Sequence, residues 1–396
     1  MSNHQLQPLG GKLLTFTVRV FGPLALISLL LIVKRLITGL GDVSDLNGGY
    51  PWGIWISFDL LIGTGFACGG WALAWAVYVF NRGEYHDLVR PALLASLFGY
   101  AMGGLSIAID LGRYWNMPNF FMPDHFNPNS VLFETAVCMT IYIGVMSLEL
   151  LPALLERLGL KVPLHRLNRI MFLIIGIGAL LPSMHQSSMG SLMIVAGYKV
   201  HPLWQSYEML PVFSLLTALI MGFSIVIFEG SLLKASATVS IDETPLFRKL
   251  SGVIKILLSL FLVLRVAELT WRGKWHFLLA GDRYTWLFLV ETGLLVISLG
   301  LLLNKRMRRT PAGLFISAVC LLLGAAMWRM DYSLIAFDPG NGYHYFPTTS
   351  EIAISVGFVA IEIVAYVLLI RLLPVLPAHG RLAAGLKSGP KNEVNS

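Results

Sequence analysis

The stretch PWGIWISFDLLIGTGFACGGWALAWAVYVF, residues 51–80, contains a single charged side chain, Asp59. A helix needs about 20 apolar residues to cross the hydrocarbon core of a bilayer, so this run is long enough to span a membrane. Other runs of the chain follow the same pattern. We predict ten membrane-spanning helices, at 16–38, 52–80, 89–110, 130–155, 169–189, 207–233, 250–270, 284–303, 311–330 and 350–373.

The composition supports the same fold class. Hydrophobic residues make up 56 % of the 396 residues and charged residues 13 %, whereas soluble domains are about 25 % charged. This excludes a soluble enzyme, a disordered chain, a disulfide scaffold and a nucleic-acid-binding domain. We predict an all-α polytopic membrane protein that forms one integral membrane domain, 1–396, because its loops are too short for a soluble domain.

The basic residues indicate the orientation in the membrane. Of the 29 lysines and arginines, 19 fall on the side of the N-terminus, the even-numbered loops and the C-terminus, and 8 fall on the other side. Because positive charge is enriched on the cytoplasmic side, we predict that both termini lie in the cytoplasm. The first apolar run lacks a cleavage site and is expected to stay as a helix.

Small residues recur at a spacing that allows close helix packing. Gly65 and Gly69 lie four residues apart in the second helix, and Gly99 and Gly103 do so in the third. Such small-xxx-small pairs let two helix backbones approach each other closely. They predict that helices two to five form a compact bundle.

Ionisable residues at membrane depth are costly and mark candidate sites. Asp59, Asp110, Arg113, Glu134 and His185 lie on four different helices, yet all fall in the half of the bilayer near the odd-numbered loops. A histidine and carboxylates at this depth suit a lipid-soluble quinone, whose two oxygens need hydrogen-bond donors and take up two protons on reduction. We predict catalytic roles for Glu134, His185 and Asp59, and quinone binding by His185, Asp59, Asp110 and Arg113.

Ion pairing is the alternative for part of this set. Asp110 and Arg113 are spaced i, i+3 on one helix and could form an interfacial pair. Arg329 and Asp331, at the end of the ninth helix, have the same interpretation.

Other acids lie deeper in the chain's helices. Glu149 and Glu229 sit towards the opposite ends of their helices, and with Glu134 they form our predicted proton path. The remaining members of this deeper polar group are Lys255, Arg265, Glu268, Glu291 and Glu362. Side chains near helix ends can also snorkel to the interface, so for Glu149, Glu229 and Lys255 that interpretation stays open.

Three odd-numbered loops, at 113–130, 198–211 and 337–351, are rich in aromatic residues and proline. Either they form an aromatic belt at the interface, or they form a docking surface for a partner protein.

No metal centre is predicted on this chain. Cys68, Cys138 and Cys320 do not form a CxxC pair, which argues against an iron–sulfur cluster. His185 is the one histidine within an apolar run, and a membrane haem usually takes two histidines from facing helices. We therefore predict no haem and no metal site; the 15 methionines leave a His–Met pair open, with none of them selected as the partner.

Several segments together resemble the polysulfide reductase (NrfD/PsrC) family of membrane subunits, and within it the membrane subunits of bacterial [NiFe] uptake hydrogenases. The stretches that carry the resemblance are SDLNGGYPWGIWISFDLLIGTGFACGGWALAWAVYVFNRG (44–83), RPALLASLFGYAMGGLSIAIDLGRYWNMP (90–118), NSVLFETAVCMTIYIGVMSLE (129–149), PSMHQSSMGSLMIVAGYKVHPLWQSYEMLP (182–211) and GFVAIEIVAYVLLIRLLPVLP (357–377).

The resemblance implies an integral, multi-pass subunit of the bacterial inner membrane without its own redox centre. A periplasmic ferredoxin-like iron–sulfur subunit would dock on the outer face, next to the hydrogenase small and large subunits, and would deliver electrons to a quinone. The Glu of FETAV, Glu134, is the family's candidate for proton conduction. The chain would then be the quinone-reducing subunit of a hydrogen:quinone oxidoreductase, without acting on hydrogen itself.

Our interpretation is thus a membrane anchor that passes electrons to menaquinone or ubiquinone, surrounded by membrane lipid and without a nucleic-acid partner. His185 and Asp59 would hydrogen-bond or protonate the quinone, Glu134 would relay protons, and Arg113 would hold Asp110 or the partner. Two alternatives are a haem-binding cytochrome b subunit and a secondary transporter that uses the buried acids as coupling sites.

Overall fold

The computed structural model describes residues 6–235 and 243–377, and ten long apolar helices dominate these residues. They are α1 (Phe16–Thr38), α2 (Trp55–Val79), α3 (Gly83–Asp110), α4 (Val131–Leu158), α5 (Lys161–Val195), α6 (Tyr207–Lys234), α7 (Thr244–Trp271), α8 (Arg283–Leu303), α9 (Pro311–Ile335) and α10 (Thr349–Leu372). Each is long and apolar enough to cross a membrane. The predicted all-α membrane fold with ten spanning helices is therefore confirmed.

The largest difference in bounds concerns α5, which runs from Lys161 to Val195 instead of 169–189. At about 1.5 Å per residue its 35 residues exceed the thickness of a bilayer core. Its first two turns are exposed and carry basic side chains, so they extend the helix into the polar region. A prediction based on apolar runs starts a helix only where the apolar residues begin.

The second helix lies at the centre of the molecule. In its most apolar window 83 % of the residues are buried by protein, against 17 % in α1. It is not a regular α-helix: π-helical turns form its two ends, Trp55–Ile62 and Trp75–Val79. Such π-turns are rare and concentrate at functional sites. The end of α9, Asp331–Ile335, is also π-helical.

Glycines bring α2 and α3 into close contact, as the sequence predicts. A Cβ atom added at Gly99 would lie 2.6 Å from the Cβ of Ala67, and one at Gly103 would lie 2.9 Å from Thr64 Cγ2. Because real side chains do not approach so closely, only glycine allows this packing. The α2–α5 bundle forms around this contact, α4 packing on α3 and α5.

The first and last helices form a pair at one side of the bundle. Ser28 of α1 donates to the carbonyl of Ile354 on α10 at 3.1 Å. Two short strands, β1 (Leu6–Gln7) and β2 (Leu376–Pro377), pair antiparallel and join the two chain ends that the structure describes.

Loops 39–54, 111–130, 196–206, 272–282 and 336–348 share one end of the bundle, since consecutive helices alternate in direction; we call this end the aromatic-loop face. Backbone hydrogen bonds join two of these loops, from His201 N to Ala336 O and from Asp338 N to Lys199 O, both 2.8 Å. Asn47 adds a third loop by donating to the carbonyl of His344 at 2.7 Å. The face is thus a connected surface.

Candidate functional site

A buried guanidinium lies at the centre of the molecule. Arg329 of α9 is fully buried, with 0 % of its surface exposed. Its Nη1 donates to Leu61 O at 2.5 Å, and its Nη2 donates to Ser214 O at 2.8 Å, Gln186 Oε1 at 3.0 Å and Thr217 Oγ1 at 3.2 Å. All four acceptors are uncharged. The cation is therefore solvated by oxygen dipoles from α2, α5 and α6.

Within the described residues, no carboxylate forms an ion pair with Arg329. The predicted Arg329–Asp331 pair does not form, because the two side chains join different groups of residues. An uncompensated cation at membrane depth costs several kcal/mol. A charge retained at that cost is suited to stabilise negative charge that develops on a ligand.

Gln186 orients the groups beside the guanidinium. Because its Oε1 accepts from Arg329, its amide nitrogen points the other way. That nitrogen lies 3.2 Å from Thr64 Oγ1, 3.4 Å from the Tyr100 hydroxyl and 3.2 Å from His185 Nε2. We call Thr64, Tyr100, His185, Gln186 and Arg329 the Arg329 cluster.

The surroundings of His185 suit one tautomer of its ring. The Gln186 amide nitrogen can only donate, and its two N–H groups lie near three atoms, one of which is His185 Nε2. When Nε2 accepts one of these hydrogens, a neutral ring carries its own hydrogen on Nδ1. His185 is 0 % exposed and packs edge-on against Tyr100, with ring centroids 5.3 Å apart. Its Nδ1 has no hydrogen-bond partner among the described residues. A buried donor without a partner is unusual in a protein and is available to an oxygen of a ligand.

Asp59 faces another side of α2. It lies in the π-helical end of that helix, is 6 % exposed, and accepts a hydrogen bond from Ser355 Oγ of α10 at 2.6 Å. No hydrogen bond among the described residues joins it to His185. Further along α10, Glu362 lies within electrostatic range of Asp59 and of Glu229 on α6. The structure therefore arranges these three carboxyls as a series.

The predicted proton-path residues are separated. Glu149 packs over α5, where a Cβ at Gly178 would lie 2.5 Å from its Oε1. It interacts electrostatically with Tyr142, whose ring packs edge-on against Tyr100 at 4.7 Å between centroids. This links Glu149 to the Arg329 cluster. Glu134 is half-buried in the first turn of α4, near Cys138.

Asp110 and Arg113 do not form the ion pair that the sequence suggested. Asp110 accepts from the backbone N–H of Gly53 at 3.2 Å, while Arg113 is exposed and has no ion pair in the part of the chain described. The Gly53 position also lies close to Tyr345 and Glu351. Asp110 thus helps to close the loops of the aromatic-loop face, away from His185.

We did not predict Tyr100, Gln186 or the other three uncharged acceptors of Arg329 from the sequence. Gln186 directly follows His185 in an apolar run, and a second polar residue in that run was a usable signal. The acceptors gave none, since Leu61 and Ser214 contribute backbone carbonyls.

Comparisons with known proteins agree with this architecture. The model of the family described as "Polysulphide reductase, NrfD" matches residues 42–336. The chain is 67 % identical to the "Probable Ni/Fe-hydrogenase 2 b-type cytochrome subunit" of Escherichia coli (strain K12), over 95 % of this chain and 96 % of that protein. The predicted resemblance to hydrogenase membrane subunits is confirmed.

Two more distant relatives are named as reductase subunits. A selenate reductase subunit of Mesobacillus selenatarsenatis is 25 % identical over 92 % of this chain and 94 % of that protein. "Menaquinone reductase, integral membrane subunit" of Nitratidesulfovibrio vulgaris is 28 % identical over 40 % of this chain and 38 % of that protein. Proteins that are named as subunits of different reductases are thus similar in sequence to this chain.

One prediction from the sequence is wrong. We expected no haem, whereas the E. coli relative is named a b-type cytochrome subunit, which implies haem. Our reasoning rested on the need for two buried histidines, and a haem can also take other axial ligands such as methionine.

The described residues fit such a group only in part. His185 offers an unpartnered Nδ1, but the other described histidines are half-buried or exposed, namely His86, His125, His165, His201, His276 and His344. The described part of the chain thus supplies one imidazole and no second one opposite it. We derive no chemical step through haem.

Proposed function

The chain belongs to the NrfD family of polysulphide reductase membrane subunits, and from that premise we propose that it is the quinone-reactive membrane anchor of a [NiFe] hydrogenase. In this proposal electrons from an iron–sulfur partner subunit reach a quinone, menaquinone or ubiquinone, bound within the helices. The names of the hydrogenase and menaquinone reductase relatives support both halves of the proposal.

The observation that carries the proposal is the unpartnered Nδ1 of His185 beside the uncompensated charge of Arg329. A quinone oxygen would accept a hydrogen bond from His185. As electrons arrive, negative charge develops on the ring oxygens, and the fixed guanidinium stabilises it without reorganisation. Gln186 acts as a positioning residue, because it holds both groups in one orientation.

Protons for the reduced ring need carboxyls within reach of the site. We propose two routes towards the inner ends of the helices: the series Asp59–Glu362–Glu229, and Glu149 through Tyr142 and Tyr100. Contacts and electrostatic interactions support these links. Asp59, through its bond to Ser355, would stand at the quinone end of the first route.

Glu134 stays a predicted proton relay, at the entrance of α4. Its half-buried position in the first helical turn near the aromatic-loop face agrees with exchange with water. Arg113 is exposed on the same face, where we propose that it contacts the partner, while Asp110 holds Gly53.

We propose that the aromatic-loop face is periplasmic and binds the ferredoxin-like iron–sulfur subunit of the hydrogenase, with the small and large subunits attached to it. Large aromatic side chains are exposed there: Trp115 at 62 %, Tyr198 at 74 % and Phe346 at 77 %. Aromatic residues are enriched in the buried centres of protein interfaces. The basic residues of the opposite loops favour the cytoplasm for that side and for both termini.

A second candidate function is that of a haem-bearing cytochrome b subunit, which the name of the E. coli relative favours. His185 is the buried histidine of the described residues that could supply an axial ligand, and binding iron through Nδ1 would require its hydrogen to lie on Nε2. A reduced-minus-oxidised spectrum of the purified complex with an α-band that disappears in His185→Ala would support it.

Hydrogen-driven reduction of a quinone analogue by the gently solubilised complex tests the proposal. We expect His185→Ala to lower this rate by about 10²-fold, with hydrogen-driven reduction of a viologen dye unchanged. His165→Ala is the matched control, because His165 is exposed at the start of α5. Full quinone reduction by His185→Ala, or none by the unmodified complex, would contradict the proposal.

A further inference from the structure

The start of α2 is capped by side chains from distant parts of the chain. The first N–H groups of a helix have no partner within the helix and need an acceptor from elsewhere. Here Gly53 N donates to Asp110 Oδ1 at 3.2 Å, and Ile54 N donates to the hydroxyl of Tyr345 at 2.9 Å. Tyr345 belongs to the loop before α10, 291 residues along the chain from Ile54. The position of this helix end is therefore set by α3 and by the loop before α10.

A buried carboxylate holds Tyr345. Glu351 of α10 is 0 % exposed, and its Oε1 accepts from the Tyr345 hydroxyl at 2.6 Å. Its Oε2 accepts from the backbone N–H groups of Asp45 at 3.1 Å and of Thr348 at 2.8 Å. Both oxygens are thus hydrogen-bonded, as a buried charged group requires. The Tyr345 hydroxyl accepts from Ile54 and donates to Glu351, so its place is fixed from both sides.

The loop that carries Tyr345 has further anchors. Thr348 Oγ1 donates to Val43 O at 2.6 Å. The ring of Tyr345 packs on that of Tyr50, with centroids 5.4 Å apart. Neither contact depends on the Tyr345 hydroxyl. Replacing Tyr345 with phenylalanine should therefore keep the loop in place and remove only the cap on α2.

The capped end of α2 leads directly to a group of the proposed site. The π-helix Trp55–Ile62 continues from Ile54 without a break. Near its end lies Leu61, whose carbonyl accepts from Arg329 Nη1 at 2.5 Å. Because π-helices are rare, we expect one of eight residues to need contacts from other elements. A shift of the helix start would move the carbonyl that holds Arg329.

Helix α10 supports the same π-helical segment at two more points. Trp55 Nε1 donates to the backbone carbonyl of Glu351 at 3.3 Å. Ser355, one helical turn after Glu351, donates to Asp59 Oδ2 at 2.6 Å. Glu351 thus contacts the beginning of the segment through its own carbonyl and, through Tyr345, the N–H group before it. The two helices are joined by hydrogen bonds along this length.

We propose that Tyr345 and Glu351 are positioning residues for quinone reduction. Through the cap on Ile54 they fix the π-helical segment of α2, and the Leu61 carbonyl of that segment holds Arg329 in place. The inference rests on the function proposed above, and neither residue touches the quinone in it. A displaced guanidinium stabilises the developing negative charge less well, because such stabilisation depends on preorganised geometry.

Tyr345→Phe in the purified complex tests this inference. We expect kcat for hydrogen-driven reduction of a quinone analogue, per assembled complex, to fall by about 10-fold, less than the 10²-fold that a misplacement of about 1 Å can cost. KM should change little, because the charge of Arg329 acts mainly on the anion that forms during the reaction. Tyr343→Phe is the matched control, since Tyr343 is exposed in the same loop, and its kcat should be unchanged.

Combination with Arg329→Gln separates positioning from a general structural defect. If Tyr345 acts through Arg329, Tyr345→Phe should lower kcat by less than about 2-fold once Arg329 is already replaced, because coupled residues have non-additive effects. A structural defect would lower kcat by the same factor with and without Arg329. That additive result would overturn the inference.

Glu351→Gln is the second variant. It keeps the size of the side chain, but its NH₂ group cannot accept the hydrogen bonds that one carboxylate oxygen accepts. It should lower kcat at least as much as Tyr345→Phe, and the double variant should be no slower than Glu351→Gln alone. An unmodified kcat in either assembled variant would overturn the inference. Failure of the unmodified complex to reduce quinone would instead overturn the proposed function, so the two failures are distinguishable.

Discussion

Arg329 and Arg265 are both buried, but the surroundings of their charges differ. Arg329 is held by backbone carbonyls, an amide and a hydroxyl, and keeps its charge. Arg265 instead forms an ion pair with Glu291, whose Oε2 also accepts from the indole N–H of Trp204. The comparison indicates that the Arg329 cluster keeps a positive charge available for an anionic oxygen, whereas the Arg265–Glu291 pair balances its own charge.

The largest effect should come from removing the uncompensated charge. We expect Arg329→Gln to lower hydrogen-driven quinone reduction by about 10²- to 10³-fold, the range for loss of a preorganised electrostatic donor. Viologen reduction by the same complex should stay unchanged. Arg90→Gln, which breaks a partly exposed pair, is the matched control. Quinone reduction at the unmodified rate by the Arg329→Gln complex would show that the uncompensated charge of Arg329 is not needed for the reaction.

The next largest effect concerns stability and separates Arg265 from Arg329. Glu291→Leu leaves Arg265 buried without its ion-pair partner and should destabilise the protein by about 3–5 kcal/mol. Adding Arg265→Met removes the orphaned charge and should restore most of that stability. Thermal unfolding of the purified subunit measures both. If the double variant is no more stable than the single variant, the unpaired charge of Arg265 is not the cause of the lost stability.

Gln186→Glu would place a carboxylate next to Arg329, as Glu291 lies next to Arg265. A carboxylate next to Arg329 neutralises the guanidinium and also changes what faces His185 Nε2. We expect quinone reduction to fall by about 10-fold, less than for loss of the guanidinium itself. The assay again compares the hydrogen-driven reduction of a quinone analogue with that of a viologen dye. An unchanged rate would mean that the net charge of the cluster is not important for the reaction.

The smallest effect concerns the aromatic-loop face, where His201 stacks on Tyr284 with centroids 4.4 Å apart. Burial lowers the pKa of His201, and Asp282 opposes this shift. The folded protein thus binds the proton less well than the unfolded chain. The contribution of His201 to the free energy of unfolding should be fully present above pH about 6.5. The free energy of unfolding should decrease as the pH falls below that value. His201→Phe keeps the stacking and should weaken this decrease; an identical pH profile would contradict it.

The sequence predicted the number and positions of the helices because apolar runs of sufficient length have few other structures available in a bilayer. It also selected His185 and Asp59, whose presence at that depth needs an explanation. The sequence did not reveal the partner of Asp59, because Ser355 lies 296 residues away along the chain. It also did not reveal the ion pair between Arg265 and Glu291, which lie on consecutive helices.

The two ion pairs suggested by the sequence, Asp110–Arg113 and Arg329–Asp331, do not form for a related reason. Nearness in sequence favoured pairs within one helix end, such as Arg329 with Asp331. In the structure Arg329 contacts α2, α5 and α6, while Asp331 begins a π-helical turn and neither of its carboxylate oxygens has a hydrogen-bond partner among the described residues. Packing of distant helices decides such pairs, and a single sequence does not record it.

Photolabelling with an azido-quinone in the assembled complex tests the central claim most directly. The proposal predicts that the label attaches to peptides of α2 around Thr64 and of α5 around His185, and that excess quinone prevents it. His185→Ala should strongly reduce this labelling, while His165→Ala should not. Labelling confined to other helices, or unaffected by His185→Ala, would contradict quinone binding at the Arg329 cluster.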